Sequence, residues 1–185
     1  MRSRVLALAT AALLTPAATA DTLVNGGQTN VLLDLSALSG AGLDVTSFSP
    51  EVITPGDLGS ASVAFPINPR SGPRATTFLY DPVSFAPFGG TIEHTGSIFF
   101  QQGIAVGDFS IGFDSNRATG LNSGFFVEST RVDTNFVAAI LFDIEAPSSL
   151  SAGPDALSIE ANLRDPPELA GSMGNADLAD DDVGD

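Results

Sequence analysis

Eight short apolar segments, each closed by Gly, Pro, Asn, Asp or Ser, constrain this chain more than any single residue does. They cover residues 43–48, 61–67, 75–80, 91–100, 104–113, 124–128, 136–144 and 156–163. Short segments rich in Phe, Ile, Val and Thr at regular spacing, with turn formers between them, read as strands of an antiparallel sandwich or barrel. The expected fold is therefore all-β, mainly an antiparallel β-sandwich, with one or two short helices. One helix follows Val31–Leu33, with Asp34 or Ser36 as N-cap and Gly40 or Gly42 as the stop. A second starts after Asp165, where Pro166 and Pro167 suit a first helical turn and Gly174 a stop.

Alternation assigns the faces. Leu157, Ile159, Ala161 and Leu163 alternate with Ser158, Glu160, Asn162 and Arg164, which predicts one buried face and one wet face. The same parity puts Ile92, His94, Ile98 and Phe100 together, and Phe109, Ile111 and Phe113 together after Gly107, a candidate bulge. Phe136 to Ile144 is apolar on both faces, as a central strand would be. The stretch Asn68 to Gly90 holds Pro69, Pro73, Pro82 and Pro87 and reads as a long excursion that packs back through Phe78, Leu79, Phe85 and Phe88. Loops of this length are places where binding resides, or are simply tethered surface.

Residues 1–20 follow the plan of a secretory signal. Arg2 and Arg4 precede a short apolar run, Pro16 breaks it, and Ala18-Thr19-Ala20 offers a small-x-small cleavage site. The run is about ten residues, half of what a membrane span needs. The expected organisation is a signal over 1–20, one domain over 21–174, and a flexible acidic tail over 175–185, where Asp177, Asp180, Asp181, Asp182 and Asp185 cluster. The product is expected to be secreted, periplasmic or at the cell surface, with no membrane span once the signal is removed.

Charge and missing residue types then narrow the function. The formal net charge is −15, all seven bases are Arg, and removing the signal takes two of them away. Such a chain repels phosphate backbones and anionic lipid, so nucleic acid is not an expected partner. With no Cys, the exported domain has no disulfides and depends on an ordinary core, here one rich in Phe. No thiolate metal site, Lys Schiff base or Walker loop is possible, and a lone histidine, His94, cannot build a histidine-rich zinc site. No Gly-x-Ser-x-Gly elbow accompanies it. Carboxylates are plentiful, but no pair stands out as in a glycosidase. Asp108, Asp114, Ser115 and Asn116 are either calcium-type oxygens or turn formers, and they lack the spacing of a calcium loop. His94 is either a core histidine satisfied by backbone or carboxylate, or one pointing into a cavity.

Four pieces, Val63-Ala64-Phe65-Pro66-Ile67, Gly90-Thr91-Ile92-Glu93-His94-Thr95-Gly96, Asp108-Phe109-Ser110-Ile111 and Leu141-Phe142-Asp143-Ile144, resemble the HtaA-type domain. That family consists of exported bacterial β-sandwich domains associated with haem uptake. The resemblance implies a β-sandwich and, in haem-binding members, a tyrosine ligand in a Ser-Phe-x-x-Tyr-like element supported by a later histidine. Here Ser47-Phe48-Ser49-Pro50-Glu51 stands in that place without a tyrosine, and Tyr80 is the only tyrosine in the chain. Two functions follow as expectations. The first is a non-enzymatic exported or envelope protein, without catalytic residues, metal or cofactor, that binds an unknown protein or small molecule through loops such as 68–90. The other is a haem-binding module of HtaA type using Tyr80 and His94, with Phe85, Phe88, Ile98 and Phe100 lining an apolar pocket. A carboxylate-dependent hydrolase is a distant third.

Overall fold

Period-two segments can bury their apolar sides only by pairing edge to edge and packing face to face, and the chain does both. The computed structural model describes residues 22–40, 42–131, 139–153, 156–168 and 182–184. In chain order the first strands are β1 (Thr22–Leu23), β2 (Gln28–Leu32), β3 (Val45–Phe48), β4 (Ser62–Pro66) and β5 (Leu79–Tyr80). Next come β6 (Pro87–Gly89), β7 (Ile92–Glu93), β8 (Ser97–Phe100), β9 (Ala105–Gly107), β10 (Phe109–Phe113) and β11 (Asn122–Ser129). The last are β12 (Ala139–Glu145), β13 (Ser149–Ala152), β14 (Leu157–Glu160), β15 (Leu163–Arg164) and β16 (Asp182–Gly184). One α-helix, α1 (Leu35–Gly40), is described; Asp34 caps it, its Oδ1 accepting from Ser36 N at 3.0 Å and Ala37 N at 2.9 Å. The fold is all-β, as expected, and every strand pairing is antiparallel.

A six-stranded sheet in the order β16-β15-β12-β11-β10-β7 forms the main layer, and β12 lies inside it between β15 and β11. Residues 92–100 and 105–113 run beside each other as one long hairpin that changes sheet halfway. Glu93 and Ile92 pair with Ser110 and Ile111 in the six-stranded sheet, while Ser97 to Phe99 pair with Gly107 to Ala105 in the sheet β3-β8-β9. Between them the ladder breaks at His94–Gly96 and at Asp108, whose φ is +51°. The bulge expected at Gly107 is not there, since Gly107 pairs with Ser97; the extra residue lies on the facing strand, where His94, Thr95 and Gly96 stand against Asp108 and Phe109.

Three smaller sheets, β2-β4, β1-β5-β6 and β13-β14, complete the set described. Val63 and Phe65 of β4 meet Ile98, Phe100, Val106, Phe109 and Leu141 in one core cluster, with the Phe65 and Phe109 rings edge to face at 4.8 Å. Phe78, Tyr80, Phe85 and Ile92 form a second cluster, joined by half-buried Ile111, Phe125 and Leu157. Within the 68–90 excursion, Phe78 and Phe85 pack inward as expected, but Phe88 is 56% exposed.

The alternating run 157–163 needs two corrections. It is two strands, β14 pairing with β13 and β15 pairing with β12, and its apolar face is only partly covered, Ile159 being 39% exposed. Alternation shows which side chains share a face and leaves open whether anything packs on it. Within the stretch expected to be a flexible tail, Asp182–Gly184 pair with β15; the rest of that tail, most of the helix expected after Asp165, the signal segment and Phe136 lie outside the described residues.

Candidate functional site

His94 stands where the β2-β4 sheet meets the main hairpin. Its backbone bridges to Ile67 just beyond β4, and its N–H donates to Phe109 O at 2.8 Å. The neighbouring Gly96 is required by both shape and dihedral. Its φ is +123°, and a Cβ there would stand 2.8 Å from Val52 Cγ2. The His94 side chain is 1% exposed. Nδ1 lies 3.2 Å from Phe109 O and Nε2 2.7 Å from Thr29 Oγ1 on β2. A carbonyl can only accept, so the proton is assigned to Nδ1, and Nε2 accepts from the Thr29 hydroxyl. Burial pushes the imidazole pKa down to about 4; the Phe109 hydrogen bond and the Glu93 charge oppose this, and the Arg74 charge adds to it. At neutral pH His94 is a neutral, doubly bonded strut between two sheets. This is the core-histidine alternative, with a hydroxyl and a backbone carbonyl as its partners.

Beside it runs a polar chain. Arg74, at φ +57°, places Nη2 2.9 Å from Glu93 Oε2 and Nη1 3.2 Å from Asp108 Oδ1, and Nη2 also donates to Asp108 O. Ser110 Oγ donates to Glu93 Oε1 at 2.8 Å, and Thr130 Oγ1 donates to Asp108 O. Burial raises the affinity of the Glu93 carboxyl for a proton, but hydrogen bonds from Thr91, Arg74 and Ser110 and the Arg74 charge outweigh it and hold the pKa below the usual value. Glu93 and Asp108 are the closest approach to a converging acid pair in this region, and a single guanidinium takes up both.

A second such node was missed in the sequence. Arg117 grips Asp143 with Nε to Oδ1 at 2.7 Å and Nη2 to Oδ2 at 2.9 Å, and reaches Glu168 Oε1 from Nη1 at 2.6 Å. Its guanidinium carbon lies 5.5 Å from the Phe126 ring centroid. Bonds to Glu168 and Asp143 raise the Arg117 pKa further, and Arg117 lowers that of Glu168. The one available signal was Asp143 itself, an acid inside an apolar strand, which demands a buried partner.

The expected ligand set does not assemble. Tyr80 is buried among Phe78 and Phe85, and its hydroxyl donates to Gly153 O at 2.9 Å. Phe85 packs at 5.8 Å from Tyr80 and 6.1 Å from Phe125, Phe88 faces solvent, and Ile98 and Phe100 belong to the other cluster. The described cavity, about 430 Å³, is lined by residues of 33–63 and by none of these. With both imidazole nitrogens and the phenol bonded inside the protein, these residues do not fit a haem iron in this arrangement. Asp114 acts as a turn former, Oδ1 accepting from Asn116 N at 2.8 Å. Among the described residues no three His, Asp or Glu side chains group as metal ligands, and no helix is long and apolar enough to cross a membrane.

The excursion exposes Val83 and Phe88 beside polar residues such as Arg70, Ser71, Thr77 and Ser84. Asp81 Oδ1 accepts from Val83 N at 2.7 Å and Ser84 N at 3.0 Å, and Asp81 N donates to Ala86 O at 3.0 Å, closing a tight turn. Phe85, at φ +57°, plugs this turn into the second core cluster. The outcome is a fastened loop whose Val83 is 79% exposed, with Phe88, the middle residue of β6, turned out as well. No family model, no curated protein and no solved structure matches this chain.

Proposed function

We propose that this chain is an exported or envelope-associated, non-enzymatic binding protein that meets its partner through the 68–90 excursion. The observation that carries the reading is the loop tip: an Asp81-closed turn anchored by buried Phe85 that holds Val83 and Phe88 in solvent. Ordering an apolar side chain outward brings no folding benefit, and pre-organised apolar display lowers the entropy cost of association. The side chains able to do chemistry support the same reading from the other side, since His94, Tyr80 and Glu93 are spent on internal hydrogen bonds. The HtaA-type likeness enters only as a likeness of exported β-domains.

The test is capture from the envelope fraction by immobilised protein of residues 21–185, with Val83→Asp/Phe88→Ser run beside the wild type. A partner retained by wild type and lost in the double variant, at unchanged melting temperature, supports the loop. Identical capture by both proteins, or none by either, removes it.

A further inference from the structure

The link between β1 and β2 carries the one Asn-Gly pair in the sequence, Asn25-Gly26. It crosses from the sheet β1-β5-β6 to the sheet β2-β4 and is fastened at both ends, Val24 N donating to Phe78 O at 3.2 Å and Gly27 O accepting from Ile67 N at 3.0 Å. Between those ends nothing holds it. Asn25 and Gly26 are exposed, and neither hydrogen-bonds to any described residue. Gly26 stands at φ +154°, and a Cβ built there meets nothing within 4 Å, so the backbone around its nitrogen is bare and open. The other described asparagines differ. Asn68 precedes Pro69, which has no N–H to react, and Asn122 lies inside β11. Asn30 Oδ1 accepts from Asp57 N at 2.9 Å, Asn116 Nδ2 donates to Asp114 Oδ1 at 2.9 Å, and Asn162 Nδ2 donates to Glu145 Oε2 at 3.2 Å. None of them is followed by glycine.

We propose that Asn25 is a self-modification site, where the Gly26 nitrogen attacks the Asn25 side-chain amide and converts it, through a cyclic imide, to isoaspartate and aspartate. The Gly26 N–H gives its proton to solvent base, the nitrogen forms a bond to Asn25 Cγ, and the Cγ–Nδ2 bond breaks as ammonia leaves. Water then opens the five-membered ring. Addition at Cγ restores the ordinary main chain with Asp at position 25; addition at the main-chain carbonyl leaves the chain running through the side chain. The balance is one amide and one water in, one carboxylic acid and one ammonia out. A side chain on the following residue crowds the attacking nitrogen, and a carboxamide held by hydrogen bonds cannot turn to meet it, so the fold restricts the reaction to Asn25. Both products add a negative charge to a chain already at −15. The isoaspartyl form also adds one main-chain carbon between the two fastened ends. Because β1 pairs with Leu79 and Tyr80, that change falls at the foot of the 68–90 excursion. The proposal stands independently of the loop reading.

The test is incubation of residues 21–185 at neutral and mildly alkaline pH, folded and in guanidinium chloride. Peptide mapping by mass spectrometry follows Asn25 against Asn30 and Asn116, and isoaspartate is identified by fragmentation. In the folded protein Asn25 is expected to convert nearly as fast as in the unfolded chain, faster in alkali, with isoaspartate among the products, while Asn30 and Asn116 stay intact. Gly26→Ala should slow the conversion severalfold in guanidinium chloride, where the fold plays no part. Asn25→Gln, which keeps a neutral amide at an exposed position, should abolish it at an unchanged urea midpoint. The proposal is overturned if Asn25 stays intact in the folded protein, if Asn30 and Asn116 convert equally fast there, or if the rate ignores pH or Gly26→Ala. It is also overturned if aspartate is the sole product, because direct hydrolysis of the side chain would then account for the change.

Discussion

The junction at His94 and the turn at Val83 lie on the same stretch of sequence, eleven residues apart, and use their side chains in opposite ways. At the junction the imidazole of His94 and the carboxylate of Glu93 face inward and are answered, the first by Thr29 and Phe109, the second by Arg74 and Ser110. At the turn the backbone is answered, by Asp81, and the apolar side chain is left in water. His94 and Glu93, which look chemical in the sequence, are hydrogen-bonded within the fold, and Val83 and Phe88, which look like core residues, are exposed. A buried polar group is costly when its partner is removed, whereas an exposed apolar one costs the fold almost nothing. Ranking substitutions by their stability effect therefore separates the two kinds of region.

The largest loss is expected at the second interior polar node. Arg117→Ala strands the Asp143 carboxylate, 3% exposed, without its guanidinium. Breaking a buried pair in this way costs about 3–5 kcal/mol, read as a lower urea midpoint at unchanged slope. If Arg117→Ala costs less than about 1 kcal/mol, the interior is not held by its polar nodes and the contrast fails.

Next comes acid. The folded His94 pKa of about 4 lies below its ordinary 6.5, so the folded state binds fewer protons than the unfolded chain between those values. Stability is therefore complete above about pH 6.5 and declines as pH falls, by about 2–3 kcal/mol on reaching pH 4.5. Glu93 and Glu168, both lowered from 4.5, lose their own contributions only at more acidic pH, so the window 6.5–4.5 isolates the histidine. In His94→Gln the stability curve should be flat across that window. A wild-type curve equally flat would mean the imidazole is charged or solvated in the fold. Thr29→Val should follow at about 1–3 kcal/mol at pH 7, because it leaves Nε2 buried without a donor; urea unfolding measures it, and no change would show that Thr29 is not the strut's second end.

How much of this was legible in the sequence differs by the type of information involved. Strand content was legible because period-two alternation and turn residues are local properties, and the Asp34 cap was legible for the same reason. His94, Ile92 and Ile98 were correctly read as inward, but they do not form one face, since Ile92 and Ile98 enter different core clusters on either side of the break at 94–96. Thr29, the partner of His94, was not legible, because sixty-five residues separate them and a threonine in a strand gives no local signal. The Arg117, Asp143 and Glu168 node spans separations of 26 and 51 residues and was invisible on the same grounds. Phe85 and Phe88 show the limit within a single loop. Both are aromatic and three positions apart, and only the Asp81 turn, with Phe85 at φ +57°, decides which one enters the core. The break in residues 92–100 is also non-local, arising where Pro66 to Asn68 pairs with Glu93 to Thr95 and draws the hairpin from one sheet into another.

The smallest expected effect sharpens the comparison most. Val83→Ser and Phe88→Ser remove the two most outward apolar groups of the excursion, and each should change stability by no more than about 0.5 kcal/mol, since neither belongs to a core cluster. Phe85→Ser, two residues from Val83, serves as the internal reference. It empties a position between Tyr80 and Phe125 and should cost several-fold more. Thermal melts of the three variants read this directly. A near-zero pair beside a costly Phe85→Ser means that the tip is fastened from beneath and free above, the condition for a contact surface that forms without refolding the loop. If Val83→Ser or Phe88→Ser is as costly as Phe85→Ser, those side chains belong to the fold, and the loop has no apolar surface to spare for a partner.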